Sequence, residues 1–542
     1  MPRRIPPTNL PRVIGDLLLL GALVLSIVPI GLCAVRLTSS FRGLDLIGFG
    51  VAAGVVVQAG FGLLIACLPA ARALIVWLDA AVASVALLCL WRWKLAGELR
   101  RSLSPSMRLG LVLWLAFAVL AVTVTHVTVT LPRELPDWRF IFKKPTLNVR
   151  LQHLTSLPAD NFIPYAVTEY ILRGISFARE RPILPGNEVS NRTILLSLVA
   201  LPYRVAISPP AKLTGPLGTF EFVGKQWPDV AKLYEEESYR EVLVVGIFLN
   251  SLLLLGCLVV FEAQFRDPPV MPCALMLCIT NSYLVAQTVF IWPKAVAGFF
   301  LLLAWRVILA GRSAALAGLC LALAYHCHPY AGIFAVGLGG YYITRARWRW
   351  AEVRPAVLFL VAFLVVIAPW LLWTCVVLHM SSDLLWQNVA GEGTQEALAS
   401  PIAFIWIRAK NLYELVAPTM FAVYPVNASQ LADAAQVSLP GAVGLILIFP
   451  AFAKAFHIGA RQSFYWLAIG LPALFIVMLF SYYARPIFHG YQPIVAALVF
   501  LGVIKLRETL PSGWFCAAVL LQLALNLATV LLRAYVTGVH FS

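Results

Sequence analysis

LVLWLAFAVLAVTVTHVTVT (111–130) runs straight into LPRELPDWRF (131–140). The first stretch holds no Asp, Glu, Lys or Arg. As a helix rising ~1.5 Å per residue it crosses a hydrocarbon core of about 30 Å. The second opens a polar segment, 131–192, that carries Glu134, Asp137, Asp160, Glu169, Glu180 and Glu188. An apolar span feeding a long acidic loop is the pattern of a membrane protein whose chemistry lies beside the bilayer.

The same apolar signal recurs along the chain. Of 542 residues, 61% are hydrophobic and 12% charged, a composition outside the soluble globular range. Spans are predicted near 13–35, 45–68, 70–91, 108–130, 241–262, 270–290, 294–311, 313–328, 330–344, 354–379, 437–457, 463–484, 489–505 and 513–533. The expected fold is therefore an all-α, polytopic integral membrane protein of about fourteen transmembrane helices. The pair flanking IWPKA (291–295) reads as a candidate broken helix, and the spans around HCHPY (326–330) are short enough to tilt or re-enter. MPRRIPPTNLPR leads into the first apolar run with no small-residue cleavage site before the second, so no cleavable signal is expected.

The net charge of +16 does not point to nucleic acid. Lys and Arg sit mainly in short loops between spans, the footprint of membrane orientation and anionic lipid. The basic loops are 91–101 with Arg108, 344–354, Arg306 with Arg312, Lys454 with Arg461, and Lys505 with Arg507. All five fall on one side, which should be cytoplasmic. The loops 131–240 and 380–436 then face outward. The N-terminus would face outward too, against which Arg3, Arg4 and Arg12 argue.

The ten cysteines lie in or beside apolar segments, with no CxxC, so neither a disulfide framework nor a zinc site is signalled. GxGxxG, P-loop and HExxH motifs and fixed-period repeats are absent. Within the long polar loop, 161–174 and 193–208 read as two interfacial helices. Before the first stands LPAD, and Asp160 is placed as a general base for an acceptor hydroxyl or amine. The equal alternative makes Asp160 or Asn161 an N-cap.

At this point the chain resembles the GT-C superfamily of polyprenyl-phosphate-dependent membrane glycosyltransferases, which includes arabinose, mannose and aminoarabinose transferases. The resemblance covers roughly 108–510. In those proteins a first large external loop carries an acidic motif before a helix ending in Gly. Here Asp160 and Asn161 take that position, with Asn in place of a second acid, and Arg173-Gly174 closes the helix. Arg181-Pro182-Ile183-Leu184 is similar to the Arg-Pro element that follows, and its guanidinium would bind phosphate or sugar oxygens. A solvated basic turn beside Glu180 is the plainer alternative. His-Gly-Tyr-Gln-Pro (489–493) resembles the element before a late span, where Arg485, His489 and Tyr491 would meet an anionic headgroup. An interfacial belt of aromatics and cations is the competing reading there. The loop 380–436 matches the second external loop by position only.

Two further sets are substrate-binding candidates. Lys294, in Trp-Pro-Lys, stands where a cation could hold a lipid-linked phosphate or simply anchor the span at the interface. His326 and His328 are candidates for a cavity lining. At i and i+2 they do not share a helical face, and no third zinc ligand is evident.

The resemblance implies an inverting glycosyltransferase in a bacterial inner membrane. It would transfer sugar from a polyprenyl-phosphate donor to a lipid, glycan or protein acceptor on the periplasmic face. It implies no certain cofactor and leaves a divalent metal open. The expected organisation is an N-terminal transmembrane module (1–107), a GT-C-like core (108–510) and a C-terminal helix with tail (511–542). Two alternatives compete: a transporter or flippase for a lipid-linked or polar solute, and a polysaccharide polymerase or ligase. Asp79 is the clearest deeply placed acid a transporter could use.

Overall fold

The computed structural model describes residues 10–126, 129–130, 162–180, 183, 188–191, 193–210, 213, 215–222, 225–262, 270–346, 349–380, 400–416, 462–479, 490–536 and 540–541. The chain is all-α, with 84% of these residues helical. Strands β1 (Val129–Thr130), β2 (Thr219–Phe222), β3 (Lys225–Pro228) and β4 (His540–Phe541) form two short antiparallel pairs, β1 with β4 and β2 with β3. Two compact units result. Unit 1 holds Met1–Ser251, Thr288–Pro293 and Thr537–Ser542; unit 2 holds Leu252–Gln287 and Lys294–Val536.

Unit 1 begins with α1 (Leu10–Thr38), α2 (Gly43–Cys67), α3 (Arg72–Arg92), α4 (Leu95–Ser102) and α5 (Pro105–Val124). Two shorter helices follow, α6 (Ile163–Arg173) and α7 (Leu195–Ile207). The long α8 (Glu236–Phe261) then carries the chain into unit 2. Local chemistry sets several boundaries. Ser104 caps α5 by accepting the Met107 amide, with Pro105 in the first turn. Glycine sets the closest approaches: a Cβ on Gly54 would lie 1.9 Å from the Ile27 carbonyl oxygen of α1, and one on Gly62 would lie 1.9 Å from that of Leu198 in α7. Only residues without a side chain let apolar helices meet so closely.

Unit 2 contains α9 (Val270–Thr280), α10 (Ser282–Val289, whose last two residues belong to unit 1), α11 (Lys294–Leu309), α12 (Ala314–Cys327), α13 (Ala331–Arg345), α14 (Trp350–Leu371), α15 (Pro401–Val416), α16 (Gln462–Tyr465), α17 (Leu471–Leu479), α18 (Tyr491–Thr509) and α19 (Ser512–Val536). A π turn over Leu372–Val377 extends α14, and another over Trp466–Gly470 joins α16 to α17.

Among the described residues, six helical stretches are long and apolar enough to cross a membrane: Leu10–Thr38, Gly43–Cys67, Pro69–Arg92, Pro105–Thr123, Glu236–Phe261 and Trp350–Val377. Their outward faces fit that environment. On α3, Leu74, Trp77, Leu88 and Trp91 are 63–80% exposed, an apolar surface that suits lipid rather than water. The predicted spans on described residues overlap helices, but 108–130 leaves the helix at Val124 and ends in β1, and several of the helices are short. α11, α12 and α13 have 16, 14 and 15 residues, below the ~20 that a perpendicular crossing needs.

The predicted span 270–290 is one of the differences. It is two helices bent by 71°. This break lies at Asn281, whose side-chain oxygen accepts the amides of Tyr283 and Leu284, and a second interruption at IWPKA separates α10 from α11. Asn in that role starts a new helix rather than continuing the old one. The predicted span 437–457 lies outside the described residues.

Candidate functional site

In unit 1 the candidate site is built around α6, the helix after Asp160. Asp160, Asn161 and Arg181 themselves lie outside the described residues, as do Arg485 and His489. Phe162 is the residue at the N-cap position of α6, and its side chain makes no capping bond. At the other end Gly174 takes the left-handed conformation, φ +68, that stops the helix. The carbonyls of Ile171 and Leu172 accept Arg72, which binds the last turn of α6 to the start of α3.

α6 is not laid on a surface. Ile163 through Tyr170 are all buried. Its buried acid, Glu169, joins three helices. Arg204 of α7 donates to Glu169 Oε1 at 2.6 and 3.2 Å, and reaches Glu241 of α8 at 3.0 Å. The Glu169 and Arg204 side chains are both fully buried. Ser208 donates to the other oxygen of Glu241 at 2.6 Å. One turn along α6, Arg173 takes Glu169 Oε2 at 2.8 Å and Glu235 at 2.9 Å. Burial works against both guanidinium charges. The carboxylates outweigh it and raise the pKa of Arg173 and Arg204 above the ordinary value. Burial also opposes the Glu235 charge, but hydrogen bonds from Arg173 and Ser238 prevail and hold its carboxyl below the usual range.

The N-terminal half of α6 is fixed by aromatics. The Tyr165 hydroxyl donates to the Leu233 carbonyl at 2.6 Å and accepts the Glu235 amide at 3.2 Å. Phe162, Tyr234 and Tyr239 close around it with ring centroids 5.2–6.5 Å away. Burial, then the Glu169 charge, pushes the Tyr165 phenol up, so it stays a neutral donor. A narrow cleft between Ile163, Pro164, Val167, Thr193, Ser197, Trp292 and Pro293 opens beside the first turn. Unit 1 thus holds the start of α6 rigidly, directly after the proposed base.

In unit 2, three of the predicted residues come together. Lys294 begins α11 and is fully buried, as is Tyr491 at the start of α18; His328, after α12, is 1% exposed. Tyr330 links them. Its hydroxyl donates to the Lys294 carbonyl at 2.7 Å, its amide donates to His328 Nδ1 at 3.2 Å, and the two rings lie 5.1 Å apart. Gly490 packs on the Tyr330 ring; φ is +93 and a Cβ would meet that ring at 2.8 Å. Tyr491 then faces Tyr283 at 5.7 Å, and Gln492 donates to Gln287 at 2.8 Å. Burial of Lys294 replaces the interface anchor with an ammonium inside the unit.

His326 is not part of this group. Its Nε2 lies 2.9 Å from the Val366 carbonyl of α14, and Trp370 stands edge-on at 6.4 Å. No group of three or more His, Cys, Asp or Glu side chains able to hold a metal lies among the described residues.

Sequence reasoning missed the Arg204 bridge. Arg204 was legible only as a cation in an apolar helix, and Glu241 as the first residue of an apolar run. A cation inside the otherwise apolar run 195–207 was the available signal, since such a charge needs a partner if buried. Comparison of the chain with protein-family models, with characterised proteins and with solved structures finds no match to any of them.

Proposed function

We propose that the protein is a membrane glycosyltransferase of GT-C type with about fourteen spans. It transfers a sugar from a polyprenyl-phosphate donor to a lipid, glycan or protein acceptor on the external face of a bacterial inner membrane. Asp160 takes the proton from the acceptor as its oxygen or nitrogen attacks the sugar's anomeric carbon, and the lipid phosphate leaves. Arg181, Arg485 and His489 are assigned to the anionic donor.

The observation that supports this reading most is α6 itself. A catalytic carboxylate gains from a support that does not move. The helix after Asp160 ends at Gly174, as the family pattern has it, and is buried among charged and aromatic partners at both ends. The purified protein in nanodiscs, given polyprenyl-phosphate-linked pentoses and hexoses with membrane lipids as acceptors, should release polyprenyl phosphate and yield a glycosylated product. Donor left intact across that panel would count against the proposal.

A transporter or flippase is the competing reading. The 71° break between Val270–Thr280 and Tyr283–Val289 favours it, because discontinuous helices are a usual device for binding a solute within the bilayer. Movement of a lipid-linked sugar between leaflets without cleavage would select that reading.

A further inference from the structure

The start of α1, the end of α5 and the start of α8 meet in unit 1 through polar side chains. Asp16 lies in the second turn of α1, Arg240 in the second turn of α8, and His126 just beyond Val124, where α5 ends. The His126 side chain is 7% exposed, and those of Asp16 and Arg240 are each 13% exposed. One turn earlier on the same two helices, Arg12 pairs with Glu236 at 3.2 Å and Glu237 at 2.9 Å. β1, which follows His126, carries no titratable side chain.

Asp16 Oδ2, His126 Nε2 and Arg240 Nη2 form a closed triangle. The Asp16 oxygen lies 2.9 Å from His126 Nε2. Arg240 Nη2 lies 2.6 Å from that same nitrogen and also bonds to Asp16 Oδ2. Arg240 further donates from Nε to Asp16 Oδ2 at 3.0 Å and from Nη2 to Thr125 Oγ1 at 3.3 Å.

No single protonation state satisfies all three sides of that triangle. A guanidinium only donates, so Nε2 accepts from Arg240 when the imidazole is neutral and carries its hydrogen on Nδ1. The lone pair of Nε2 then serves Arg240, and the side facing Asp16 sets acceptor against acceptor. A proton added at Nε2 reverses this. Nε2 now donates to Asp16, while the side facing Arg240 becomes donor against donor and cation against cation. Asp16 has a partner in both states; Arg240 is the group that changes. We infer that His126 is a proton-operated latch on the start of α8. Neutral, it holds the Nη2 end of Arg240 against the end of α5; protonated, it takes Asp16 and releases that end. The next residue, Glu241, accepts Arg204, so the release acts one residue from the bridge that fixes α6. The inference does not depend on glycosyl transfer.

The test uses the full chain in nanodiscs. Nitrogen-15 histidine spectra of wild type and His126→Gln isolate the His126 ring by difference. At about pH 8 that ring should be neutral with its hydrogen on Nδ1, and at about pH 5.5 it should carry hydrogens on both nitrogens. Amide hydrogen exchange over the first turns of α8, corrected for the intrinsic rate, should be at least about tenfold faster in wild type at the lower pH. His126→Gln, whose amide oxygen still accepts from Arg240, should exchange slowly at both pH values. Arg240→Gln should exchange fast at both, and it carries the test against wild type if His126→Gln does not fold. A neutral ring with its hydrogen on Nε2 overturns the inference, as does wild-type exchange that ignores pH. A pH response retained by either variant overturns it too, as does one confined to below about pH 5, where carboxylates titrate.

Discussion

Replacing Arg204 with Met tests whether the Glu169–Arg204–Glu241 bridge holds α6 in place. Arg204 gives two hydrogen bonds to Glu169 and one to Glu241. Met fills a similar volume and supplies no charge. Glu169 would keep Arg173, but Glu241 would keep only Ser208. Leaving a buried carboxylate without its cation costs about 3–5 kcal/mol. At roughly 2–4 °C per kcal/mol for a unit of this size, unit 1 should melt roughly 6–20 °C lower. Thermal unfolding in nanodiscs at neutral pH reads this directly. Adding Glu241→Gln removes the orphaned charge and should recover about 0.5–3 kcal/mol. Arg204→Lys keeps the charge but lacks the planar fork that bridges two acids, so it should fall between. An Arg204→Met protein melting within about 2 °C of wild type, or made worse by Glu241→Gln, would refute the argument.

Three other outcomes follow from the same structure. Glu235 has a depressed pKa, so its stabilising contribution is fully present above 4.5 and is lost as pH falls through its lower folded value; Glu235→Gln should abolish that acid-side step in a melting-temperature profile. Gly490→Ala meets both a positive φ and the Tyr330 ring, whereas Gly174→Ala meets only the positive φ; the first should destabilise by about 1–3 kcal/mol more than the second in paired melts. In a cysteine-free background, Thr155→Cys and Gly393→Cys should react with a membrane-impermeant thiol reagent applied outside and Ala351→Cys should not; labelling at Ala351→Cys alone would invert the orientation.

Helices were legible wherever one property decided them. Apolar runs gave α1, α2 and α3 to within a few residues, because a span needs only length and hydropathy; the run at α5 continues past the helix end at Val124 into β1. α6 and α7 were also foreseen, but as interfacial helices. Their burial depends on Glu169 and Arg204, which lie 35 residues apart and meet only in the fold. The local part of that network was within reach of spacing rules: Glu169 and Arg173 are an i,i+4 pair. The i,i+2 rule likewise separated His326 from His328, and the structure sends one to Val366 and the other to Tyr330. The break at Asn281 was missed because hydropathy averages over a single polar residue. An Asn preceding Ser282 was the cap signal that could have located it.

The most direct test of glycosyl transfer is the rate of Asp160→Asn against wild type and Asp160→Ala, with a lipid-linked donor. Asn keeps the size and most of the capping ability of Asp but not its basicity. Asp160→Asn should therefore lose roughly two to four orders of magnitude in rate while its melting temperature stays near wild type. Asp160→Ala should lose the rate and also about 0.5–2 kcal/mol of stability. Near-normal turnover by Asp160→Asn would contradict the account, reducing Asp160 to a helix cap and moving the search for a base to Glu134 and Asp137.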